Sequence, residues 1–146
     1  MDFDRSRTTR SRRLFTAAEA NALLAEIAPV IASMRDAAQT GTRAGKIVQE
    51  LALKLEASGG GRPDHQEIAA QRELATSIEQ LRAALETLDH LGIRVKDPGR
   101  GLIDFPSDRN GEVVELCWLH GEPAVAHWHR VGEGFAGRRP LGEEDA

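Results

Sequence analysis

Apolar residues change their spacing at Gly92, and this change constrains the fold more than any other feature of the sequence. Before Gly92 they recur at alternating steps of three and four, which places them on one face of an α-helix. After Gly92, short β-prone segments alternate with glycines and prolines. Because each helix must bury its apolar face against another layer, the sequence predicts one α+β domain over residues 14–141, with helices in 16–92 and a β-rich part in 93–141.

The first predicted helix begins at Thr16, which stands three residues before Glu19, as a capping box requires. Pro29 lies inside the apolar pattern, and we expect a kink there rather than an end because the pattern continues on both sides. The apolar seam of this helix consists of Ala20, Leu23, Leu24, Ile27, Val30, Ile31, Met34 and Ala37.

Two glycines divide the helical region that follows. Gly41 and Gly45 predict an interruption of the first helix. A second, shorter helix is expected after them, with an apolar face made of Ile47, Val48, Leu51 and Leu55. The glycine-rich segment 58–63 ends that helix and predicts a flexible tip.

A third helix is predicted after this tip, and Asp64 with Glu67 has the spacing of its N-terminal cap. Gly92 followed by the apolar Ile93 is typical of a left-handed helix end. The seam of this helix is the longest in the chain and consists of Ile68, Leu74, Ile78, Leu81, Leu85 and Leu88. Three seams predict an antiparallel helical bundle of about three helices, and their coiled-coil spacing favours completion of the bundle by a second copy, as a homodimer.

The β-rich part has the pattern of a small antiparallel meander packed on one end of the helices. Its β-prone segments are 93–95, 102–105, 113–119 and 124–131, with turn signals at 110–111 and 121–123.

Composition and charge exclude several classes of protein. No run approaches the roughly 18 consecutive apolar residues of a membrane span, so we expect no membrane partner and a cytoplasmic protein. A net charge of −4 argues against a surface that binds nucleic acid as a whole. The single cysteine, Cys117, excludes a four-cysteine zinc site or an iron–sulfur cluster and indicates a reducing compartment.

The two ends of the chain carry opposite charge. Residues 1–13 contain five arginines and residues 142–146 are acidic, and both are expected to be disordered tails. The alternative for the arginine-rich arm is contact with an acidic protein partner or with RNA.

Several segments together resemble a known family. They are RLFTAAEAN (13–21), LGIRVKD (91–97), GLIDFP (101–106), LCW (116–118), GEP (121–123), WH (128–129) and GFAGRRPL (134–141). In order and combination they resemble the bacterial family called domain of unknown function 2203 (DUF2203), over residues 13–141. The resemblance implies no established reaction.

The last third of the chain is dense in groups that bind metals or anions or transfer protons, namely Asp104, Cys117, Glu122, His127, His129, Arg138 and Arg139. His127 and His129 alternate on one predicted strand and therefore share a face. With Asp104 as the favoured third ligand and Cys117 as a further candidate, they could hold a divalent transition metal such as zinc. A sheet face whose imidazoles are only hydrogen-bonded is the alternative.

The position of Cys117 relative to these histidines depends on the turn between the two strands. An even loop would pair Cys117 with Ala126 and separate the thiol from the histidines, whereas an odd loop would place it on their face. A buried core cysteine and a nucleophile activated by His129 both remain open.

A loop with Gly132, Gly134 and Gly137 precedes the arginine pair 138–139. Its backbone N–H groups and guanidinium groups could hold a phosphate or carboxylate, or the loop could simply close over the sheet.

These observations lead to two functional hypotheses. The first is a non-enzymatic module that binds a ligand or partner, with a helical dimer interface. The second is a small metal-dependent hydrolase that uses Asp104, His127 and His129. Candidate ligand-binding residues are Asp104, Cys117, Trp118, His129, Arg138 and Arg139.

Overall fold

The computed structural model describes residues 13–142, which fold into two α-helices followed by a five-stranded antiparallel sheet. The α+β architecture predicted from the sequence is confirmed. The expected arginine-rich arm and acidic tail lie outside the described residues, except for Arg13 and Gly142. Arg13 donates a hydrogen bond to the carbonyl oxygen of Leu91 and lies over the ring of Phe15.

Helix α1 runs without a break from Ala17–Ala57, and helix α2 spans His65–His90. The helical part thus contains two helices, and the prediction of three was wrong. Gly41 and Gly45 lie inside α1, facing α2: a Cβ atom added to Gly41 would lie 3.5 Å from the Cβ of Ser77. A glycine costs a helix interior only about 1 kcal/mol, so packing of α1 along α2 outweighs it.

The helix caps predicted at Thr16, Asp64 and Gly92 are confirmed. The side chains of Thr16 and Glu19 form a complete capping box at the start of α1, and α1 continues past Pro29. Asp64 accepts a hydrogen bond from the N–H of Glu67 at the start of α2. After α2, Gly92 adopts a φ of 85°, which lets the N–H of Ile93 donate to the carbonyl oxygen of Leu88.

Helix α1 is long and apolar enough to cross a membrane, judged by length and composition alone. A core helix satisfies the same criterion. Five residues of α1 are buried in the core that the helices share with the sheet, namely Ala17, Ala20, Ile27, Ile31 and Met34. The absence of a membrane partner stays a prediction.

The sheet has the strand order β1-β2-β3-β4-β5. Its strands are Arg94–Asp97, Leu102–Arg109, Glu112–Leu119, His127–Arg130 and Arg139–Pro140. The turn between β2 and β3 is formed by Asn110 and Gly111, both with positive φ, as the sequence predicts. Strand β5 was not predicted, because two residues carry no periodicity.

The connection between β3 and β4 sets the register that matters for the site. Cys117 pairs with His127, and Leu116 pairs with Trp128. This is the odd alternative, in which the cysteine and the histidines share one face. The opposite face carries Ile103, Phe105, Val114, Leu116 and Trp128, which pack with Phe15 and the helices in the hydrophobic core. The polar residues therefore lie on the face turned away from the helices.

Candidate metal centre

Three strands bring a carboxylate, a thiol and an imidazole together on the face of the sheet turned away from the helices. Asp104 of β2 pairs directly with Cys117 of β3. His129 of β4 follows two residues after His127, the partner of Cys117, so its side chain is on the same face. The nearest ligand atoms of Asp104, Cys117 and His129 all lie within 4.8 Å of one another. We call these three residues the Asp–Cys–His cluster.

The cluster is shielded from solvent, since the exposed fractions of Asp104, Cys117 and His129 are 0%, 1% and 2%. Nδ1 of His129 lies 2.9 Å from the carbonyl oxygen of Arg130. A carbonyl oxygen only accepts hydrogen bonds, so this nitrogen carries the proton. In the neutral ring, Nε2 therefore has a free lone pair, and this atom lies 3.2 Å from Oδ2 of Asp104.

A second group of charged side chains surrounds the cluster. Glu115 is buried two residues before Cys117, and its Oε2 lies 3.4 Å from Nζ of Lys96. Its Oε1 lies 3.8 Å from Nη1 of Arg94. Lys96 also lies 3.9 Å from Oδ2 of Asp104. Two cations on β1 thus partly neutralise two buried carboxyl groups.

Burial, together with a hydrogen bond to the neighbouring Glu115, raises the pKa of Asp104 to about 7. Burial also acts to raise the pKa of Glu115, but the hydrogen bond from Asp104 and the charge of Lys96 lower it overall. Oδ1 of Asp104 and Oε2 of Glu115 are buried and accept no hydrogen bond from an N–H or hydroxyl donor. The proton of the pair therefore resides mainly on Asp104.

The thiol of Cys117 is a poor nucleophile in this setting. Burial, together with the neighbouring Asp104 carboxyl group, raises its pKa to about 12. Because the thiolate is the reactive form, this environment disfavours the hypothesis of a cysteine nucleophile. The same thiol becomes a strong ligand once a metal ion displaces its proton.

A cavity of about 240 Å³ adjoins the Asp–Cys–His cluster. Its walls also include Lys96, Leu102, Gly132, Gly134 and Phe135. The glycine-containing loop thus closes over the polar face of the sheet, which was one of the two uses expected for it. The ring of Phe135 lies 4.5 Å from the guanidinium carbon of Arg138 and 5.7 Å from that of Arg100, which hold it over the cavity.

The structure places His127 outside the cluster, with Arg138 and Glu122. Nη2 of Arg138 lies 2.6 Å from Nδ1 of His127 and 2.6 Å from Oε2 of Glu122. Burial raises the pKa of Glu122, but the hydrogen bond from Arg138 lowers it overall. The predicted ligand set is thus brought together only in part: Asp104 and His129 meet, and Cys117 stands where His127 was expected.

Two further predicted site residues have other contacts. The indole N–H of Trp118 donates to the carbonyl oxygen of Glu122, and its ring is buried in the core. Arg139 forms hydrogen bonds with Glu133, and its guanidinium carbon lies 5.0 Å from the centre of the Trp128 ring. Neither residue lines the cavity beside the cluster.

Sequence reasoning missed Lys96, Arg94 and Glu115. A signal for Glu115 was present: a charged residue in the apolar strand 112–119, spaced two residues from Cys117, shares a face with it. No comparable signal marks Lys96, because a bulge follows Val95 and changes the alternation of β1.

The chain matches a described protein family over most of its length. Residues 13–141 match the family described as "Uncharacterized conserved protein (DUF2203)". No curated protein and no solved structure matches the chain.

Proposed function

The chain belongs to the DUF2203 family of uncharacterised conserved proteins, and from its geometry we propose that it binds one divalent transition metal ion, zinc foremost, through Asp104, Cys117 and His129. The observation that carries the proposal is the convergence of three different buried ligand atoms within 4.8 Å. Oxygen, sulfur and nitrogen donors together match the preferences of zinc.

The distances between the three ligand atoms support an ion at this position. Zinc binds oxygen and nitrogen at about 2.1 Å and sulfur at about 2.3 Å, so a tetrahedral ion holds its ligand atoms about 3.5 Å apart. The observed atoms need only small shifts to reach this spacing.

The surroundings of His129 are those of a metal ligand. Its Nδ1–H donates to the carbonyl oxygen of Arg130 and thereby fixes the tautomer that leaves Nε2 free to coordinate. Lys96 and Glu115 form the next layer, where hydrogen bonds and charge orient the carboxylate ligand.

Three protein ligands leave a fourth coordination position open. The adjoining cavity gives that position access to a small molecule or to water. This observation favours a second candidate function, metal-assisted hydrolysis, in which an ion would lower the pKa of its bound water. In this candidate the ligand set contains Cys117 in place of His127.

The exposed surface of α1 and α2 supports a further proposal. Two copies of the chain associate through these helices. Four large apolar residues are at least one-third exposed on α1 and α2: Ile47, Leu53, Ile68 and Ile78. A second copy of the chain would cover them and complete the bundle that the seams predict.

Elemental analysis of untagged protein tests the metal proposal. We expect about one zinc per chain in the wild type and strong loss of zinc in Cys117→Ser and His129→Ala. His127→Asn is the matched control, because His127 lies on the same strand but outside the cluster, and we expect it to retain the metal. An unchanged zinc content in His129→Ala, or loss of zinc in His127→Asn alone, would contradict the proposal.

A further inference from the structure

We propose that the open coordination position takes a small carboxylate with one negative charge and a short apolar substituent. This inference rests on the proposed metal site and deepens it by naming the class of ligand.

The size of the cavity limits the ligand. A volume of about 240 Å³ corresponds to roughly eight water molecules at the density of the liquid. A dinucleotide cofactor or a peptide of several residues exceeds this volume. A carboxylate with two to four carbon atoms fits beside the ion.

The charge of the site selects an anion. The two positive charges of the ion are balanced by the carboxylate of Asp104 and the thiolate of Cys117, while the imidazole of His129 is neutral. In the next layer, two cations, Arg94 and Lys96, surround the single carboxylate of Glu115. One positive charge therefore remains uncompensated, and Lys96 lines the cavity. A single negative charge on the ligand balances it.

The remaining walls select a carbon-containing ligand over an inorganic anion. Leu102 and Phe135 both line the cavity, and Phe135 is held in place by the guanidinium groups of Arg100 and Arg138. A short hydrocarbon chain on the carboxylate would contact these two side chains and remove their surfaces from water. Inorganic phosphate offers no such contact.

Cobalt-loaded protein provides the test, because four-coordinate cobalt bound to a thiolate has visible absorption that changes when a further ligand binds. The probes are acetate, propionate, butyrate and inorganic phosphate. We expect saturable spectral changes with the carboxylates and about fourfold tighter binding for each added methylene group. Phosphate is expected to bind more weakly than butyrate.

Variants of one lysine separate the role of the charge from that of the metal. At a cobalt concentration that saturates the site in every variant, Lys96→Met is expected to weaken butyrate binding about tenfold or more, and Lys96→Arg is expected to restore binding. Lys46→Met, on the exposed side of α1, is the control and should bind butyrate as the wild type does.

Failures of the two proposals are distinguishable. Absence of the cobalt–thiolate spectrum would overturn the metal site and this inference with it. A normal cobalt spectrum that no carboxylate alters at millimolar concentration would overturn only the inference. Tighter binding of phosphate than of butyrate would overturn the assignment of a carboxylate.

Discussion

Nε2 of His129 and Oδ2 of Asp104 lie 3.2 Å apart while the other ring nitrogen is engaged by a backbone carbonyl group. With Nδ1 fixed as a donor, a hydrogen bond between these two atoms requires one proton, supplied either by the acid or by the imidazolium ion. A metal ion that binds both atoms takes the place of this proton. Metal binding and proton release are therefore coupled at a single contact.

The reactivity of Cys117 follows from its burial and its raised pKa of about 12. In metal-free protein at neutral pH, we expect a thiol reagent to label the native protein at least a hundredfold more slowly than the urea-denatured protein, because both access and the thiolate fraction are low. The labelling rate is followed by mass spectrometry. Equally fast labelling of native and denatured protein would restore the nucleophile hypothesis.

The raised pKa of Asp104 predicts that the stability of the metal-free protein depends on pH. Its pKa rises from an ordinary value near 3.8 to about 7 on folding, so between these values the folded chain binds more protons than the unfolded chain. Its contribution to the free energy of unfolding therefore falls as the pH rises from about 4 to about 7. In thermal unfolding with a chelator present, the melting temperature of Asp104→Asn should fall less over this pH range than that of the wild type.

The control for this measurement is Asp36→Asn, which removes an exposed carboxyl group from α1. It should leave the pH profile of the wild type unchanged. Identical profiles for the wild type and Asp104→Asn would mean that the carboxyl group of Asp104 does not gain a proton on folding.

Two glycine substitutions should change stability in opposite directions. A Cβ atom at Gly45 would make an ordinary contact 3.9 Å from Leu74, so Gly45→Ala is expected to stabilise the protein by about 0.5–1 kcal/mol through helix propensity. A Cβ atom at Gly101 would lie 2.8 Å from atoms of Arg35 and His120, where φ is 71°. Gly101→Ala is therefore expected to destabilise by more than about 1 kcal/mol. Urea unfolding measures both, and a destabilising Gly45→Ala would contradict the continuous α1.

The proposed self-association predicts a mass twice the 15.9 kDa of the chain in light scattering at micromolar concentration. Replacing the exposed Ile78 with Glu should shift the mass toward the monomer, because a charge would have to be buried in the interface. The same change at Val131, which is equally exposed but lies beyond the helices, is the control. A monomeric wild type would remove the dimer proposal.

Local signals allowed the helices and most strands to be predicted, because caps, seams and glycine helix ends depend on neighbouring residues. The prediction failed at Gly41 and Gly45, where contacts with α2 about 30 residues away outweigh the local cost. Which residues meet in the site depended on whether the loop after β3 gives the even or the odd register. The odd register brings Cys117 beside His129, and the sequence left both registers open.

Because α1 is long, its two ends differ in how readily they unfold locally. Its 41 residues extend about 60 Å, but the helical residues in the core shared with the sheet lie before residue 38 in α1 and after residue 80 in α2. Beyond that core, the two helices pack mainly against each other, and Gln39 of α1 also donates a hydrogen bond to the carbonyl oxygen of Gly99. Amide hydrogens near the tip at 58–63 should therefore exchange with solvent through partial openings that leave β2, β3 and β4 intact. Fluctuations of α1 and α2 near this tip therefore need not disturb the spacing of Asp104, Cys117 and His129.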